Sequence, residues 1–518
     1  MNRNKNVLVC VLVIMVAVAA HGCQQHAIYP NAGLLVSGDE LQKLIDDGLP
    51  NTVIIDARDY GNASQKIPGS INLRWQEFVD SSMRLKAVAE LEQLLGAAGL
   101  TRDQKIIIYD NAPYSGGAAG RIFWMLEYLG CHDVHILNGG WEKWVEDGRP
   151  AEDMWPLELE PALFTATVRG ERLATKEQLA TRLDDADCAL IDARSFPEYH
   201  GWQLYGELRG GHIPGAVNIN YESFFNSDTT VLHYSSLKSL LETHGIIADR
   251  EIIAYDTMGI RSGFVYFICR LMGYSRCANY DGSIVEWSAD TSLPLEKMEN
   301  YQSLVYPAWV DALIRGENPP TYQGNGYVIL NTSWTPEYTT DPTDYAMGHI
   351  PGAIFMDTYD VENGPSREPL SPVEFGDSEG RPDLLATMEQ VREVSAASTS
   401  DTIITDDRSW DEYIGASNSY YGYFDEKGRI PQARWIGDWT ELLGDDINLF
   451  QSMGVVKKNW ETAGFSPDKK MYFYCGTGWR SGLYTYYAYL LGWPAANYDG
   501  GWYEWSTNPD NPRETGEP

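Results

Sequence analysis

The sequence is short of positive charge. Its 518 residues carry 39 Lys and Arg against 73 Asp and Glu, a formal net charge of −34. A nucleic-acid partner demands a basic face, so an acidic excess of this size excludes that class and disfavours adsorption to anionic lipid. Histidine is scarce at nine residues. No spacing of His and Cys brings metal ligands close together, so no zinc site is expected and nothing calls for a cofactor. Long apolar runs are also lacking, with one exception. Val7 to Ala20 is an unbroken run of 14 residues, too short for a bilayer span. It follows Arg3 and Lys5 and ends on Ala20-His21-Gly22-Cys23, the layout of an export signal. Cysteine is sparse as well. Beyond Cys10 and Cys23 there remain Cys131, Cys188, Cys269, Cys277 and Cys475, an odd number, which in an exported chain flags a reactive thiol. Cys188 and Cys269 lie in hydrophobic runs and read as buried apolar residues. Whether Cys269 and Cys277 pair is left open.

What is present is repetition. The length suits three or four domains, and one pattern recurs along it. A strand-like run ends in Asp-x-Arg at Asp56-Ala57-Arg58 and Asp192-Ala193-Arg194, and in Asp406-Asp407-Arg408. A turn follows: Ile67-Pro68-Gly69, Gly211-His212-Ile213-Pro214-Gly215-Ala216, Gly348-His349-Ile350-Pro351-Gly352-Ala353 and Gly428-Arg429-Ile430-Pro431. A second apolar run comes next, Ile106 to Asp110, Ile252 to Asp256 and Met471 to Cys475. Each leads through a glycine-containing loop into a helical stretch and closes on a Trp motif at Trp141, Trp287 and Trp505. Strands alternating with helices predict an α/β fold with mainly parallel sheets flanked by helices. The modules read as 30–152, 168–298 and 383–510. Residues 299–382 read as a partial copy, with a strand at Tyr327 to Leu330 and a polar linker after Ser371. The tryptophans read as packing residues, and His212 and His349 as turn residues.

This order of motifs resembles the rhodanese superfamily over most of residues 30–510. The resemblance implies repeated rhodanese-like domains of the two-domain thiosulfate and mercaptopyruvate sulfurtransferase type. It implies that domains 1 and 2 are inactive, with Asp110 and Asp256 where the nucleophile would stand, and that domain 3 is active through Cys475. The N-terminus, in turn, resembles a bacterial lipoprotein signal over residues 1–23, with lipid on Cys23. That implies a cell-envelope protein anchored in the membrane, and Gln24 favours the outer membrane.

The chemistry is carried by Cys475-Gly476-Thr477-Gly478-Trp479-Arg480-Ser481-Gly482, between a strand and a helix expected at Leu483 to Leu491. Amide N–H groups of such a loop point inward as an anion-binding nest, and the helix N-terminus adds to it. A thiolate at Cys475 would be stabilised there and made nucleophilic. Arg480 would bind the donor's anionic group, and Thr477 and Ser481 would supply hydroxyl hydrogen bonds. Gly476, Gly478 and Trp479 complete the expected binding loop. Asp406 and Arg408 flank the site by resemblance, as substrate-binding groups or as a structural ion pair. The expected activity is transfer of sulfane sulfur from a small anionic donor, thiosulfate or 3-mercaptopyruvate, to a thiol or cyanide acceptor through a Cys475 persulfide. A lipid-anchored scaffold with one redox or carrier thiol is the alternative. A cysteine phosphatase is a third reading, disfavoured because Cys475 and Arg480 enclose four residues rather than five. In domain 2, Asp256 is expected to fill its own loop and to pair with Arg261.

Overall fold

A computed structural model describes residues 29–518 except 60–63, 154–156, 158, 184, 334–344, 346–347, 358–361, 364–367, 370–380, 419–423 and 445–448. The signal segment, Cys23 and most of the expected linker lie outside the described residues. The chain divides into two compact units. One holds residues 1–195, 205–208 and 214–293; the other holds 196–204, 209–213 and 294–518. The first therefore carries domain 1 and the sheet of domain 2, and the second carries residues 196–204, 209–213 and 294–298 of domain 2 with the partial copy and domain 3.

Each domain opens the same way. Ser37, Thr175 and Thr387 cap the helices Gly38–Asp46, Lys176–Ala180 and Met388–Ala396. In each case a Glu or Gln three residues on reaches back to the capping residue's N–H. This reciprocal box satisfies donors that a helix start leaves open. The strands that follow, Thr52–Asp56, Cys188–Asp192 and Thr402–Asp406, are apolar and buried almost throughout, as parallel strands covered on both faces must be. Each pairs in parallel with the strand that leads to the loop: Lys105–Tyr109, Glu251–Tyr255 and Lys470–Tyr474.

In domain 1 the spatial order is Leu35–Val36, Val134–Leu137, Lys105–Tyr109, Thr52–Asp56, Ser70–Asn72, all parallel. Domain 2 repeats it with Leu173–Ala174, Cys277–Tyr280, Glu251–Tyr255, Cys188–Asp192 and Val217–Asn218. Domain 3 keeps four, Ala495–Asn497, Lys470–Tyr474, Thr402–Asp406 and Arg434–Trp435, and a single parallel bridge from Leu385 to Asn497 stands in for the fifth.

Domains 1 and 2 share one continuous apolar core. Its seam is a pair of helices, Ala118–Tyr128 and Arg261–Leu271. Phe123 meets Phe267 edge to face at 5.1 Å. Gly120 lets the backbones approach: a Cβ there would lie 2.3 Å from the Phe264 Cα. Buried Glu127 crosses the same seam to Arg270 at 3.0 Å. In the second unit, domain 3 buries separate clusters built around Trp460, Phe473 and Tyr484 and around Tyr474, Trp502 and Trp505.

The partial copy has a parallel strand pair, Leu330–Ser333 with Ile354–Asp357. Its strand begins at Leu330, where the apolar pattern placed the end of one at Tyr327 to Leu330. Its turn nevertheless matches domain 2. His349 stacks on Tyr345 at 3.8 Å and His212 stacks on Tyr199 at 3.6 Å, each at 8°. Each ring's Nδ1 is within hydrogen-bond distance of that tyrosine's carbonyl, so these are packing residues of the turn. In domain 3 Arg429 takes the same place over Tyr413.

Candidate active site

The site begins where the Lys470–Tyr474 strand ends. Cys475 is the next residue and has no exposed surface. The helix after it starts at Trp479, earlier than the expected Leu483, and runs to Leu491. Gly478 ends the loop with φ +84°, and the helix that starts after it runs straight through Gly482. Arg480 and Ser481 therefore sit on the first helical turn rather than in a loop. A side chain at Gly478 would collide with the Asp499 carbonyl, 2.4 Å from its Cβ.

Domain 2 holds a loop of equal length, from Asp256 to Gly263. Its glycine at the matching place, Gly259, has φ +79°. In domain 2 the amides of Ile284 and Val285 donate to the carbonyls of Asp256 and Thr257, at 3.0 and 3.2 Å. In domain 3 Trp502 and Tyr503 donate to Cys475 and Gly476, at 2.8 and 2.9 Å. Asn279 donates to the Gly259 carbonyl at 3.0 Å, and Asn497 to that of Gly478 at 3.1 Å. The two loops are held by the same scaffold.

Domain 2 shows what that scaffold binds. The Asp256 carboxylate accepts N–H bonds from Met258 (3.2 Å), Gly259, Ile260 (3.2 Å) and Arg261 (2.8 Å). The hydroxyls of Ser262 and Ser283 reach it at 3.3 Å, and Arg261 pairs with it at 3.5 Å. Asp256 thus fills its own anion nest, as expected, with Arg261 beneath Tyr205. Domain 1 departs from this. Asp110 accepts from Ser115 at 2.6 Å and Ala119 at 2.8 Å. Arg121 does not serve it; that guanidinium donates to the Gly259 carbonyl at 2.9 Å and pairs with Asp281 across the helix seam. Burial pushes the Asp110 carboxyl above the usual carboxylate range.

The other expected site residues in domain 3 are placed as follows. Gly476 and Thr477 form the floor of the loop, and Thr477 is buried. Ser481 is buried and its hydroxyl donates to the Gly478 carbonyl at 3.0 Å, which braces the loop. Trp479 opens the helix. Arg480 forks onto Glu412, with both contacts at 3.3 Å. An anion bound at this guanidinium would have to share it with a carboxylate. The motif reading passed over Glu412, although the repeat marks it: Asp192-x-Arg194-Ser195-x-x-Glu198-Tyr199 recurs as Asp406-x-Arg408-Ser409-x-x-Glu412-Tyr413. The capping box of Ser409 and Glu412 starts the helix Trp410–Tyr413 and places the carboxylate there.

Of the two readings of Arg408, the structure shows the ion pair. It is 1% exposed and forks onto Asp406 at 2.9 and 2.6 Å. It also donates to the Gly428 carbonyl and stacks against Trp502. Arg58 with Asp56 and Arg194 with Asp192 repeat the pair in domains that lack the cysteine. In domains 1 and 3 the arginine also ties the strand end to the following turn, through the carbonyls of Gln65 and Gly428.

Asp407 also escapes the motif reading, although Asp-Asp-Arg in domain 3 against Asp-Ala-Arg in the other two is a readable signal. It is fully buried, and neither carboxyl oxygen has a hydrogen-bond partner among the described residues. Burial pushes the carboxyl well above the usual range. The adjacent Cys475 adds to the rise and Arg480 opposes it.

The remaining described cysteines, Cys131, Cys188, Cys269 and Cys277, are free thiols. Cys269 and Cys277 do not form a disulfide. Burial pushes the thiols of Cys131 and Cys277 up to about 12 and raises those of Cys188 and Cys269. These are inert packing groups.

A model of the rhodanese-like domain matches residues 37–147, 175–290 and 387–508. A thiosulfate sulfurtransferase of Pseudomonas aeruginosa is 30% identical over 281 residues, which is 52% of this chain and 99% of the relative. A sulfur carrier protein, TtuD of Thermus thermophilus, is 31% identical over 285 residues, 52% of this chain and 99% of the relative. The thiosulfate sulfurtransferase YnjE of Escherichia coli is 25% identical over 409 residues, 63% of this chain and 89% of the relative. Among solved structures, wild-type EanB matches with TM-score 0.59 and 24% identity, over 67% of this chain and 98% of that one. An EanB variant bearing a cysteine persulfide matches with TM-score 0.58 and 23% identity, over 67% of this chain and 100% of that one. Likeness at that identity establishes a shared fold.

Proposed function

We propose that this chain, which belongs to the rhodanese family, moves sulfane sulfur from thiosulfate or 3-mercaptopyruvate to a thiol or cyanide acceptor through a persulfide on Cys475. The Cys475 thiolate attacks the outer sulfur of the donor. Sulfite or pyruvate leaves with the bonding electron pair, and the sulfur stays on the enzyme as Cys475–S–S⁻. An acceptor then takes the outer sulfur and frees the thiolate. This is covalent catalysis in two half-reactions and gives ping-pong kinetics.

One observation carries the reading. Counted from Cα, a persulfide anion and an aspartate carboxylate span the same number of bonds: Cα–Cβ–Sγ–Sδ against Cα–Cβ–Cγ–Oδ. Asp256 ends in four amide donors of a loop that matches the Cys475 loop in length and bracing. A persulfide on Cys475 would end in the corresponding amides, those of Thr477, Gly478, Trp479 and Arg480. The loop is thus shaped for the charged intermediate, which is where transition-state and intermediate stabilisation is most useful. A loop built around an inert buried thiol would have no need of such a nest.

Domain 3 is the acting module, and domains 1 and 2 are closed copies whose anion comes from their own side chain. The chain is exported and held by lipid on Cys23 in the cell envelope, in the outer membrane by the Gln24 rule. The short apolar run before Cys23 supports this. A cyanide–thiosulfate assay tests the central reading and separates it from a scaffold or a phosphatase. Activity is expected in the wild type and none in Cys475→Ser.

A further inference from the structure

We propose that Asp407 is the proton-holding partner of Cys475: a carboxyl buried on the neighbouring strand end, which takes the thiol proton when the thiolate forms and returns it when the sulfur has left. The proposal rests on the sulfur-transfer reading above.

Strand register puts the two residues together. Asp406 lies opposite Tyr474 in neighbouring parallel strands. The Asp407 N–H donates to the Tyr474 carbonyl at 3.2 Å. Residues 407 and 475 therefore leave the sheet side by side, and neither has exposed surface. The Asp407 carboxyl has no hydrogen-bond partner on either oxygen among the described residues. Such a group is costly to bury and calls for an explanation. The contrast with its neighbours is sharp. Asp406 is satisfied by Arg408 and Tyr474, and Asp110 and Asp256 are satisfied by their loops.

Folding does not demand a carboxyl here. Ala57 and Ala193 fill the same position in domains 1 and 2, buried and apolar. The acid appears only in the domain that has the cysteine. The titratable and charged groups facing it are Cys475, Arg480, Asp406, Arg408 and, from the helix after the loop, Tyr484. Arg480 is forked onto Glu412, and Arg408 onto Asp406. The Tyr484 hydroxyl donates to the carbonyls of Gly437 and Asp438. The group left to exchange a proton with Asp407 is the sulfur of Cys475.

The balance is closed without any further reagent. Cys475–SH and Asp407–COO⁻ become Cys475–S⁻ and Asp407–COOH. The thiolate attacks thiosulfate, a new S–S bond forms, and the bond to the sulfonate sulfur breaks with its electron pair leaving as sulfite. An acceptor thiolate then attacks the outer sulfur and departs as its own persulfide. Cys475–S⁻ is regenerated beside the acid, which can return the proton. Burial favours the protonated carboxyl, so the acid keeps the proton it has taken until the regenerated thiolate claims it back.

The test uses the full-length protein and its Asp407→Ala and Asp407→Asn variants. Two readouts are followed against pH: the rate of persulfide formation with thiosulfate, and the ultraviolet thiolate absorbance, taken as the difference from Cys475→Ser. Asp407→Ala should fold, because it restores the alanine of the other domains. Near neutral pH it should lose thiolate absorbance and on the order of 10²-fold in rate. Both should recover at alkaline pH, where the thiol ionises unaided. Asp407→Asn should lose rate similarly, since an amide cannot take the proton. Folded variants that keep the wild-type pH profile in both readouts would overturn the proposal. A wild type that takes up no sulfur while its thiolate titration still depends on residue 407 would instead overturn the sulfur-transfer reading and leave this one standing.

Discussion

Two side chains, Cys475 and Asp256, follow strands of the same kind and open loops of the same length, and on the proposed function the difference between them separates a reactive from a self-satisfied domain. Cys475→Ala should abolish sulfur uptake, measured as mass gained on incubation with thiosulfate. Arg480 carries two loads. Arg480→Ala should raise KM for the donor more than it lowers kcat, because the fork meets the donor's anionic end. It also strands buried Glu412, and losing one partner of a buried pair costs about 3–5 kcal/mol. A lower Tm should therefore accompany the kinetic change, and Arg480→Lys should restore Tm better than KM. Asp407 contributes a pH dependence whose sign is fixed by its raised carboxyl. The folded state holds that proton more tightly than the unfolded chain does. The contribution is fully present below the ordinary aspartate value of 3.8 and is lost as pH rises toward the folded value. Asp407→Ala should thus gain in Tm relative to the wild type as pH climbs from about 4 toward about 8 in a series of thermal melts. A constant difference across that range would count against a buried, protonated acid.

At the scale of the strand–loop–helix element, domain 2 offers a test that does not touch the active domain. Asp256→Ala removes the anion from four amides and Arg261. It should destabilise the first unit by about 3–5 kcal/mol, read by chemical denaturation. Asp256→Cys in a Cys475→Ser background should regain some persulfide, found by mass spectrometry at residue 256; a folded protein with no sulfur there would mean that the nest has lost more than its nucleophile. These elements were legible in the sequence because each is local. The apolar strands, the Pro-Gly turns and the glycine loops repeat as contiguous words, and Asp256 with Arg261 lies within one of them. What was not legible depends on contacts between words. Arg121, the first arginine after Asp110, crosses a helix seam to Gly259 and Asp281 instead of serving that loop. Arg408 looked like a site residue, yet the strand end turns it inward onto Asp406. Asp407 and Glu412 take their roles from tertiary placement, one beside Cys475 and the other on Arg480; in the sequence they show only as a departure from Asp-Ala-Arg and as a Ser-x-x-Glu-Tyr word shared with Ser195 to Tyr199.

At the scale of the whole molecule, the acidic chain must draw an anionic donor into a site whose guanidinium is already shared with Glu412. Long-range attraction works against it, so raising ionic strength should raise kcat/KM for thiosulfate by screening that repulsion. The envelope proposal has its own check. Cys23→Ser should release a soluble and still active protein, and a mature N-terminus other than a lipid-modified Cys23 would end that part of the account. On the proposed function the repeated domains leave one nucleophile, Cys475, for one sulfur. Intact-mass measurement of the wild type and of Cys475→Ser after thiosulfate, followed by peptide mapping, addresses this most directly. The account predicts one added sulfur per wild-type chain, on Cys475, removed by cyanide, and none on the variant. Sulfur that persists on Cys475→Ser, or that maps to another cysteine, would contradict it.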